Sequence, residues 1–587
     1  MSPVPSRRPT DSAASVPAAE SVAAVASVVA VALGLLVLTA TAPVAGAGDA
    51  GTDPAVAGND AGGVVASADQ TENRTPAAAE PRIVELFPNP TAAENRGEYL
   101  VVRLPERGNW SLSDGYYDAA IPANASGVVA LSMDPANATT LLDDGPASAD
   151  RGPTELRTLD GHFPLSASGD RIELRRDGTA VDVVAYESAP EGQRWRADWG
   201  EWRPRGYDPR PAVRTADATV TPFVLPDSPG RPVEPLREAE DRLLLAGYTL
   251  GSERVVDLLV AAADRGVEAR VLVEGSPVGG FSARSARLLD RVAAAGVAVR
   301  VLDGDAERFR FHHAKYAVAD DRAVVLTENW KASGTGGRTN RGWGVVTGTP
   351  RSATAGATAA DDLAALFRAD AAAPDARSWA AFRADAEFHD GGAANGSYPT
   401  RFEAPAPRAA DVELLTTPGN AADRLVARIN AADDRVLALV PRTGGPDNRL
   451  VRALRRAADR GVDVHLLLSN AWYDREENRA LAEALADEPI AVAVAEPRGR
   501  YGKVHAKGVV IDDTAVVGSL NWNAGAATEN REVLLAVESE AVADFYARAY
   551  AADWRGGGVH LPVGFAGGLA VVVAGAGLVA RREVTFA

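Results

Sequence analysis

Residues 81–187 contain short runs in which apolar and polar positions alternate, for example residues 98–104 and 180–186. Alternation of this kind is typical of β-strands with one buried face. Asp177 and Gly178 separate two such runs, and an Asp-Gly pair at that place indicates a hairpin. Short strands with Pro, Asn and Gly between them therefore predict a β-sandwich over residues 81–187.

From residue 233 onward the pattern changes to alternating helices and strands, and it occurs twice. The sequence Ala-Ala-Asp-Arg-Gly-Val is found at 262–267 and again at 457–462. In both places it ends an amphipathic helix and precedes a run of apolar residues, and a glycine just after a helix is a common stop signal. The repeat predicts two α/β copies, at 233–400 and 405–558, each with helices packed on a sheet.

The predicted fold is therefore multidomain, with an immunoglobulin-like β-sandwich followed by a duplicated α-β-α sandwich whose two copies form one site. Residues 188–232 lie between the two parts and are rich in Pro and Arg. They also contain Trp195, Trp199 and Trp202. We interpret this stretch as a semi-rigid connector whose Trp residues cover a domain edge.

Apolar runs near both ends predict where the protein is located. Residues 1–47 contain an Arg pair, an apolar run and a small-residue cleavage site, which together indicate a secretory signal peptide, with an uncleaved anchor as the alternative. Residues 48–80 have the composition of a disordered linker. Residues 561–580 are apolar and precede two Arg, which predicts a transmembrane segment with a cytoplasmic tail, or a processed sorting signal. We expect the rest of the chain to be extracellular and anchored in the cell membrane.

Composition excludes some chemistry and leaves other chemistry open. The chain has no Cys, which excludes disulfides, thiolate catalysis and thiolate metal sites. Its net charge is -18, and it is rich in Asp and Glu but poor in Lys, which suggests a halophilic protein. At molar salt the screening length is about 3 Å, so the negative charge does not exclude a substrate that contains phosphate.

The chain has only four lysines in 587 residues, and two of them occur in the same frame. Each frame contains a His, a Lys two residues later, then an Asp and an Asn at identical spacings: His313, Lys315, Asp320 and Asn329, and His505, Lys507, Asp512 and Asn521. Residues two apart in a strand share a face, so each His and its Lys point the same way. This combination suits a phosphate anion better than a divalent metal.

Two such frames facing each other supply the groups needed for a double displacement at phosphorus. One His attacks and becomes phosphohistidine, while the other protonates the leaving oxygen and then activates water or an alcohol. The Lys and Asn side chains hold the nonbridging oxygens. This chemistry needs neither a cofactor nor a metal.

The two frames resemble the signature of the phospholipase D superfamily, which is His-X-Lys, four residues, Asp, and later Gly-Ser-X-Asn. The second copy matches it closely and includes Ser519, whereas the first has Leu326 and Thr327 in place of Gly-Ser. Glu532 matches the family carboxylate that orients the catalytic His. The equivalent position in the first copy is Gly342, so we expect His313 to lack that partner unless Glu328 substitutes for it.

The resemblance implies a role for each matched residue. The catalytic set is His313, Lys315, Asn329, His505, Lys507, Asn521 and Glu532, and the supporting set is Asp320, Thr327, Asp512 and Ser519. The first His is usually the nucleophile in two-copy members, so we expect His313 to attack and His505 to act as acid and base, with reversed roles as the alternative. His312 faces the other way and is expected to be a packing or surface residue.

The segment 81–187 resembles the lamin-tail domain, an immunoglobulin-like module, in the order of its pieces. The matching stretches are 83–90, 97–101, 110–115, 169–174 and 182–186. No residues there group into an active site, so a binding or spacing role is expected.

Three functions follow from these resemblances. The first is an extracellular, membrane-tethered phosphodiesterase that hydrolyses or transfers phospholipid head groups. The second is a metal-independent extracellular nuclease, because lamin-tail-like modules accompany secreted nucleases. The third is an inactive binding module, suggested by Gly342 and Leu326. The partners expected are a phosphodiester substrate and the membrane, and no obligate protein partner is inferred.

Overall fold

The computed structural model describes residues 65–66, 80–142, 154–208, 210–303, 307–349, 358–392 and 394–554. The predicted signal peptide, the predicted transmembrane segment and most of the predicted linker lie outside these residues. Within them, no helix combines the length and apolar character needed to cross a membrane. Val65 and Ala66, which the sequence analysis assigned to the disordered linker, pair with Ala185 and Val184 as a short edge strand, so that prediction does not hold for these two residues.

The N-terminal part is β-rich and consists of two sheets. Its strands are β1 Val65–Ala66, β2 Arg82–Phe87, β3 Tyr99–Leu104, β4 Trp110–Ser113, β5 Asp118–Ala120, β6 Gly127–Ser132, β7 Glu155–Thr158, β8 Asp170–Arg176, β9 Thr179–Tyr186, β10 Gln193–Arg196 and β11 Trp202–Pro204, with one helix, α1 Pro135–Leu142. The sheet orders are β1-β9-β8-β4-β5 and β11-β10-β2-β3-β6-β7. Side chains of both sheets, including Leu86, Val102, Leu112 and Ile172, form one core.

The predicted hairpin between β8 and β9 is confirmed. Asp177 and Gly178 join the two antiparallel strands, and their φ angles are 49° and 79°. Two consecutive positive φ angles are what a tight two-residue hairpin turn requires, and Asp and Gly tolerate them. The similarity to a lamin-tail domain stays a prediction.

The prediction of a separate connector at 188–232 is wrong. Its first part forms β10 and β11, which extend the second N-terminal sheet, and Trp195 is buried there. Its last part forms the thirteen-residue strand β12, Val213–Leu225, which belongs to the duplicated domain. Pro222 obscured this strand in the sequence. It lies beyond the last β12 residue paired with β22, Val220, so its missing N–H leaves no gap in that ladder.

The first copy of the duplicated domain therefore begins about twenty residues earlier than predicted, at Val213 rather than at 233. It contains β12 Val213–Leu225, α2 Glu234–Glu238, β13 Arg242–Gly247, β14 Leu250–Gly251, α3 Glu253–Asp264, β15 Glu268–Glu274, α4 Ala283–Ala294, β16 Ala298–Leu302, β17 Tyr316–Ala319, β18 Arg322–Leu326, β19 Trp330–Lys331, β20 Asn340–Gly348, α5 Ala359–Ala372, β21 Ala376–Ser378 and α6 Trp379–Asp385.

The second copy repeats this order. It contains β22 Arg408–Thr417, α7 Ala421–Asn430, β23 Arg435–Val440, α8 Arg449–Asp459, β24 Asp463–Leu468, α9 Arg475–Ala484, β25 Ala491–Val494, β26 Lys503–Val504, β27 Gly508–Ile511, β28 Thr514–Gly518, α10 Ala524–Thr528, β29 Glu532–Glu538 and α11 Glu540–Trp554. The predicted helix ends are confirmed, because Gly266 and Gly461 follow α3 and α8 with φ angles of 87° and 94°.

The two copies share one sheet of sixteen strands, whose main path is β21-β16-β15-β13-β17-β18-β20-β12-β22-β29-β28-β27-β23-β24-β25. Helices cover both faces of it. Tyr316 and Val318 of β17 belong to a core that includes α5 and α11, while Ala317 and Ala319 belong to a core that includes α3 and α4. Because neighbouring strand residues face opposite sides, this arrangement is the predicted α-β-α sandwich.

A buried ion cluster holds the copies together. Arg341 of the first copy lies 2.6 Å from Asp227 and 2.8 Å from Asp553 of the second copy, and Asp553 also lies 2.6 Å from Arg500. All four side chains are almost fully buried. Buried charges are stable only when they are paired, and these pairs cross the junction between the copies. The cluster therefore favours the two copies packed against each other.

Removing the shared carboxylate is expected to destabilise the protein strongly. In Asp553→Ala, two buried Arg side chains lose an anion, so the free energy of unfolding should fall by about 3–5 kcal/mol. The control is Asp544→Ala, which removes a carboxylate that pairs with Arg435 and is much more exposed than Asp553. This change should lower the free energy of unfolding by about 1 kcal/mol or less. Denaturant unfolding of both variants checks this, and equal losses would contradict it.

Candidate active site

The His-Lys pairs lie just before two equivalent strands. His313 and Lys315 precede β17, and His505 and Lys507 precede β27, so each pair lies in the segment leading into its strand rather than within it. The intervening Ala314 and Ala506 are fully buried, in agreement with the predicted facing. Both pairs therefore reach the same region between the two copies.

Each histidine is held by a carboxylate of the other copy. The Nδ1 atom of His313 lies 2.9 Å from one carboxylate oxygen of Glu532 and 3.0 Å from the other. The Nδ1 atom of His505 lies 3.1 Å from Glu328. Glu532 thus orients the His of the first copy, and Glu328 orients the His of the second.

The expectation that His313 lacks an orienting partner is wrong, because Glu532 acts across the junction between the copies. The peptide N–H of His313 donates to the carbonyl oxygen of Arg531 at 2.9 Å, and that of Arg531 donates to Phe311 at 2.9 Å. These two bonds align the segment before β17 with the start of β29. The sequence comparison paired each His with the carboxylate at the matching position of its own copy. It therefore missed the contact between His313 and Glu532.

Glu328 occupies the space that a glutamate at position 342 would fill. A Cβ atom placed on Gly342 would lie 2.2 Å from Cγ of Glu328, which real structures do not allow. The equivalent pair in the second copy is Leu520 and Glu532, so in the first copy the carboxylate lies just after β18 instead of on β20. Glu328 therefore compensates for the missing glutamate at position 342.

An Asn supports each carboxylate. The amide of Asn530 donates to Glu532 at 3.0 Å, and the amide of Asn340 donates to Glu328 at 2.8 Å. Asn-Arg occurs in both copies directly before the compared positions 342 and 532. This repeated dipeptide is a sequence signal for the support of both carboxylates that the spacing analysis did not use.

Both lysines of the frames are buried beside their histidines. Lys507 donates to the carbonyl oxygens of His505 at 2.6 Å and of Thr327 at 3.3 Å, and Lys315 donates to the carbonyl oxygen of His313. Burial lowers the pKa of Lys507 to about 8 and the pKa of Lys315 well below its usual value. The bond to Thr327 brings Lys507 to the first copy, and the charge of Lys507 adds to the lowering of the pKa of Lys315.

Both histidines are neutral near pH 7. Burial lowers the pKa of His313 to about 4, with Glu532 opposing and Lys315 adding to the shift. Burial likewise lowers the pKa of His505 to about 4, with Glu328 opposing and Lys507 adding. A neutral ring that donates its Nδ1 proton to a carboxylate presents the lone pair of Nε2, which is the form a nucleophile or base needs.

The remaining predicted residues have clear places. Asp320 accepts three backbone N–H groups of residues 240–242, and Asp512 accepts three of residues 433–435, all at 2.9–3.0 Å. Thr327 accepts the N–H of Trp343 at 2.9 Å as Ser519 accepts that of Val533 at 3.0 Å, so the hydroxyl of Thr replaces that of Ser. These four residues support the fold of the site.

The two asparagines of the frames, Asn329 and Asn521, lie at equivalent positions. Asn329 and Asn521 are both half-buried beside the site. The side-chain oxygen of Asn329 is buried and has no hydrogen-bond partner within the described residues. The oxygen and nitrogen of an amide can be exchanged by a flip, so either atom of the Asn329 amide can occupy this buried position.

The structure adds Tyr248 to the site and confirms His312 as a buried residue. The Tyr248 ring lies edge-on to His313 at 4.8 Å, and Lys315 lies 5.1 Å from its centre. Burial raises the pKa of Tyr248 to about 12, so it stays protonated. His312 is buried, and its backbone N–H donates to Glu274 at 2.6 Å. No sequence pattern marked Tyr248, because it comes from the end of β13, far from either frame.

The low pKa values of His313 and His505 make stability depend on pH. Both lie below the ordinary value of 6.5, so the unfolded chain binds protons first as pH falls. The free energy of unfolding should therefore fall between about pH 6.5 and 4 by up to about 2 kcal/mol per histidine at pH 5, and these groups should have no effect above pH 6.5. Denaturant unfolding at pH 7.5 and 5 checks this, and His313→Asn/His505→Asn should show a smaller difference. An unchanged difference would contradict it.

Known proteins and a family model are similar in sequence to the duplicated domain. The family model described as "Cardiolipin synthase, PLD-like domain" matches residues 233–368 and 425–554. Cardiolipin synthase A of Pseudomonas aeruginosa strain UCBPP-PA14 is 38% identical over 119 residues, which are 20% of this chain and 24% of that protein. The same values hold for the enzyme of strain LESB58. The chain thus spans only 24% of the length of the curated relatives it matches.

Solved structures are also similar to this chain. Phosphatidylserine synthase of Haemophilus influenzae Rd KW20 is 12% identical, covers 58% of this chain and 88% of its own, and has a TM-score of 0.40. The phospholipase D family member Nuc of Salmonella typhimurium is 21% identical, covers 26% of this chain and 98% of its own, and has a TM-score of 0.23. The family model covers both copies of the duplicated domain, and each copy holds a complete His-X-Lys frame, so the duplicated domain of this chain belongs to the phospholipase D superfamily.

Proposed function

We propose that this protein is a phosphodiesterase that cleaves or transfers phospholipid head groups through a phosphohistidine. The observation that carries the proposal is the pair of neutral histidines, each held by a buried carboxylate, beside two buried lysines. A phosphate diester is the anion that this set of groups can both bind and attack. The relatives named cardiolipin synthase support a phospholipid substrate.

The first step forms a bond from Nε2 of His313 to phosphorus and breaks the bond from phosphorus to the head-group oxygen. His505 is protonated when the substrate anion binds, because the added negative charge raises its pKa, and it gives this proton to the leaving oxygen. In the second step His505 takes a proton from water or an alcohol, whose oxygen attacks phosphorus and releases His313. Lys315 and Lys507 hold the nonbridging oxygens throughout.

The environments of the two histidines support these roles. The side chain of His313 is 10% exposed and contacts both oxygens of Glu532, which is itself fully buried. The side chain of His505 is 21% exposed and has a single contact with Glu328. A nucleophile benefits from a fixed position, whereas an acid and base must reach the leaving oxygen and the incoming water.

Exposed apolar side chains near the site fit a lipid surface. Trp472 is 83% exposed and Val278 is 80% exposed, in loops that follow the equivalent strands β24 and β15. Val278 is linked to Tyr248 of the site by a hydrogen bond from its N–H at 2.5 Å, and Tyr473, next to Trp472, is bonded to Lys503 at 2.5 Å. Loops with exposed apolar side chains can enter a bilayer. This property fits the location that we propose, at the outer face of the cell membrane.

Polar substitution of these loop ends should weaken contact with lipid. Trp472→Ser/Val278→Ser is expected to lower activity on phospholipid vesicles by about tenfold while leaving activity on a soluble short-chain phospholipid nearly unchanged. Tyr116→Ser, which alters a 94% exposed aromatic in the N-terminal part, is the matched control. An equal loss on both substrates would contradict a lipid-contact role.

A nuclease is the second candidate, because exposed Trp472 and Tyr473 could also stack on bases. The deciding experiment gives the protein phospholipid vesicles and single-stranded DNA together, in molar salt with excess EDTA, and identifies products by mass spectrometry. Phosphatidic-acid-type products that disappear in His505→Ala support the proposal. Cut DNA with intact lipid would replace it with the nuclease. If the unaltered protein leaves both substrates intact, an inactive binding domain would be favoured.

The two departures that suggested an inactive domain have structural explanations. Glu328 supplies the carboxylate that Gly342 lacks, and the hydroxyl of Thr327 takes the place of that of Ser519. We therefore place the inactive module last among the three functions.

A further inference from the structure

We propose that four buried residues position His313 for attack, and that the N-terminal part of the chain holds them in place. The four are Arg308, Phe309, Asp370 and Arg531, and we call them the Asp370 cluster. This inference rests on the proposed function, because it takes His313 as the nucleophile. The β-rich N-terminal part, expected from the sequence to have a binding or spacing role, thereby contributes to the first step of catalysis.

Asp370, near the end of helix α5, is a buried carboxylate shared by two arginines of different copies. Its oxygens lie 3.0 Å from Nε of Arg531 and 3.4 Å from Nη1 of Arg308. Arg308 is also held by Asp375, which accepts from its side-chain Nε and from its backbone N–H, both at 3.0 Å. All four side chains are at most 5% exposed, so water screens these ion pairs very little.

The ring of Phe309 contacts both guanidinium groups of the cluster. The guanidinium carbon of Arg308 lies 4.8 Å from the ring centre, and that of Arg531 lies 4.3 Å from it. A cation near a buried aromatic ring is attracted to it more strongly than at the surface. The ring therefore joins the segment that leads to His313 with the strand that carries Glu532.

The cluster is attached to both members of the His313–Glu532 pair. Arg531 immediately precedes Glu532, and Arg308 lies five residues before His313. The carbonyl oxygen of Arg531 accepts the N–H of His313 at 2.9 Å. Any displacement of Arg531 therefore moves the imidazole together with its carboxylate. Because attack requires the reacting atoms to be about 3–3.5 Å apart and aligned, such a displacement slows the first step.

The same arrangement is repeated at His505. Asp553 is shared by Arg341 and Arg500, and Arg500 precedes His505 by five residues. The ring of Tyr501 lies 4.7 Å from the guanidinium carbon of Arg341 and 5.4 Å from that of Arg500. An ion cluster that occurs at the equivalent place beside each histidine belongs to the architecture of the site.

The N-terminal part reaches the Asp370 cluster through the turn that follows β11. The backbone N–H of Gly206 donates to the carbonyl oxygen of Arg308 at 3.0 Å, and Nη1 of Arg205 donates to that of Glu307 at 3.4 Å. Gly206 lies so close to Phe309 that a Cβ atom placed on it would be 2.1 Å from the ring. The second sheet of the N-terminal part, in which β11 is an edge strand, therefore packs directly on the cluster.

Gly206→Ala tests the link between the N-terminal part and His313. The added methyl group must displace the Phe309 ring by more than about 1 Å, because carbon atoms pack at about 3.5–4.0 Å. The change is made in His505→Ala, with a p-nitrophenyl phosphodiester as substrate. Nε2 of His313 attacks phosphorus and p-nitrophenolate leaves without a proton, so the rate of this burst reports the attack by His313 alone. We expect the rate to fall by about tenfold or more while the burst still releases about one equivalent.

Two further variants make the result decisive. Gly230→Ala is the matched control, because its Cβ would meet nothing within 4 Å and its φ of -76° suits any residue, so the burst rate should change by less than about twofold. Phe309→Leu removes the ring without adding bulk and should slow the burst several-fold, which keeps the test valid if Gly206→Ala does not fold. A smaller burst at an unchanged rate would indicate loss of folded protein and would overturn the inference.

Hydrogen exchange supplies a measurement that does not depend on activity. In Gly206→Ala, the backbone N–H groups of residues 310–313 and 529–532 should exchange at least about tenfold faster than in the parent protein. Residues 500–505, the equivalent segment of the second copy, should exchange at the parent rate. Equal acceleration in all three segments would indicate a general loss of stability and would contradict a local positioning role.

The outcomes separate this inference from the proposed function. If the burst occurs at the parent rate in both Gly206→Ala and Phe309→Leu, the positioning role is wrong and the proposed function stands. If His505→Ala gives no burst, the proposed function fails, and hydrogen exchange alone decides whether the N-terminal part holds the His313 segment. Unchanged exchange of residues 310–313 in Gly206→Ala would then overturn the inference as well.

Discussion

His313→Ala and His505→Ala are each expected to lower the cleavage of a phospholipid by on the order of 10⁴-fold or more, because the nucleophile and the acid cannot replace each other within one turnover. A substrate with a p-nitrophenyl leaving group separates the two roles. Its phenolate leaves without a proton, so His505→Ala should release one equivalent of p-nitrophenol rapidly and then stop, since the second step lacks its base.

The stalled His505→Ala protein should carry the substrate's phosphoryl group on His313, which peptide mass spectrometry at alkaline pH would locate. His313→Ala should give neither a burst nor an adduct. His465→Ala is the control, because His465 lies outside the site and pairs with Asp463 at 2.9 Å. A burst in His313→Ala with the adduct on His505 would reverse the assigned roles, and no burst in either variant would exclude a phosphohistidine.

The carboxylate exchange between positions 328 and 342 gives the second large expected effect. Glu328→Ala removes the contact that fixes Nδ1 of His505, and loss of a carboxylate that orients a catalytic His lowers rates by about 10²- to 10⁴-fold in related arrangements. Gly342→Glu alone should also be harmful, since its Cβ would lie 2.2 Å from Cγ of Glu328. The double variant Glu328→Ala/Gly342→Glu relieves the clash and returns a carboxylate to the place that Glu532 holds in the second copy.

The double variant should therefore be at least about tenfold more active than Glu328→Ala, which is a strong non-additive effect between neighbouring residues. Glu328→Ala/Gly342→Gln has the same volume without the charge and should remain as impaired as Glu328→Ala. Steady-state kinetics of the four variants measures this. Full activity in Glu328→Ala would show that His505 does not depend on this carboxylate, and equal rescue by Gln would show that packing rather than charge matters.

Local patterns in the chain determined much of the fold. Asp177-Gly178 specifies a hairpin because both residues tolerate positive φ, and the repeated helix stop at Gly266 and Gly461 marks the duplication because a short stretch contains the whole signal. The two His-X-Lys frames were readable for the same reason, since each is a contiguous run of residues. Strand β12 was missed because Pro222 normally argues against a strand, and only the pairing of Pro222 with Val345 shows that the strand continues through it.

Contacts between the copies were decided by the tertiary structure alone. The sequence determined that two histidines, two lysines and a small number of carboxylates are available, but not that Glu532 serves His313 and Glu328 serves His505. Those pairings depend on how the segment before β17 meets β29, which is more than 200 residues away along the chain, as the separation of 219 between His313 and Glu532 shows.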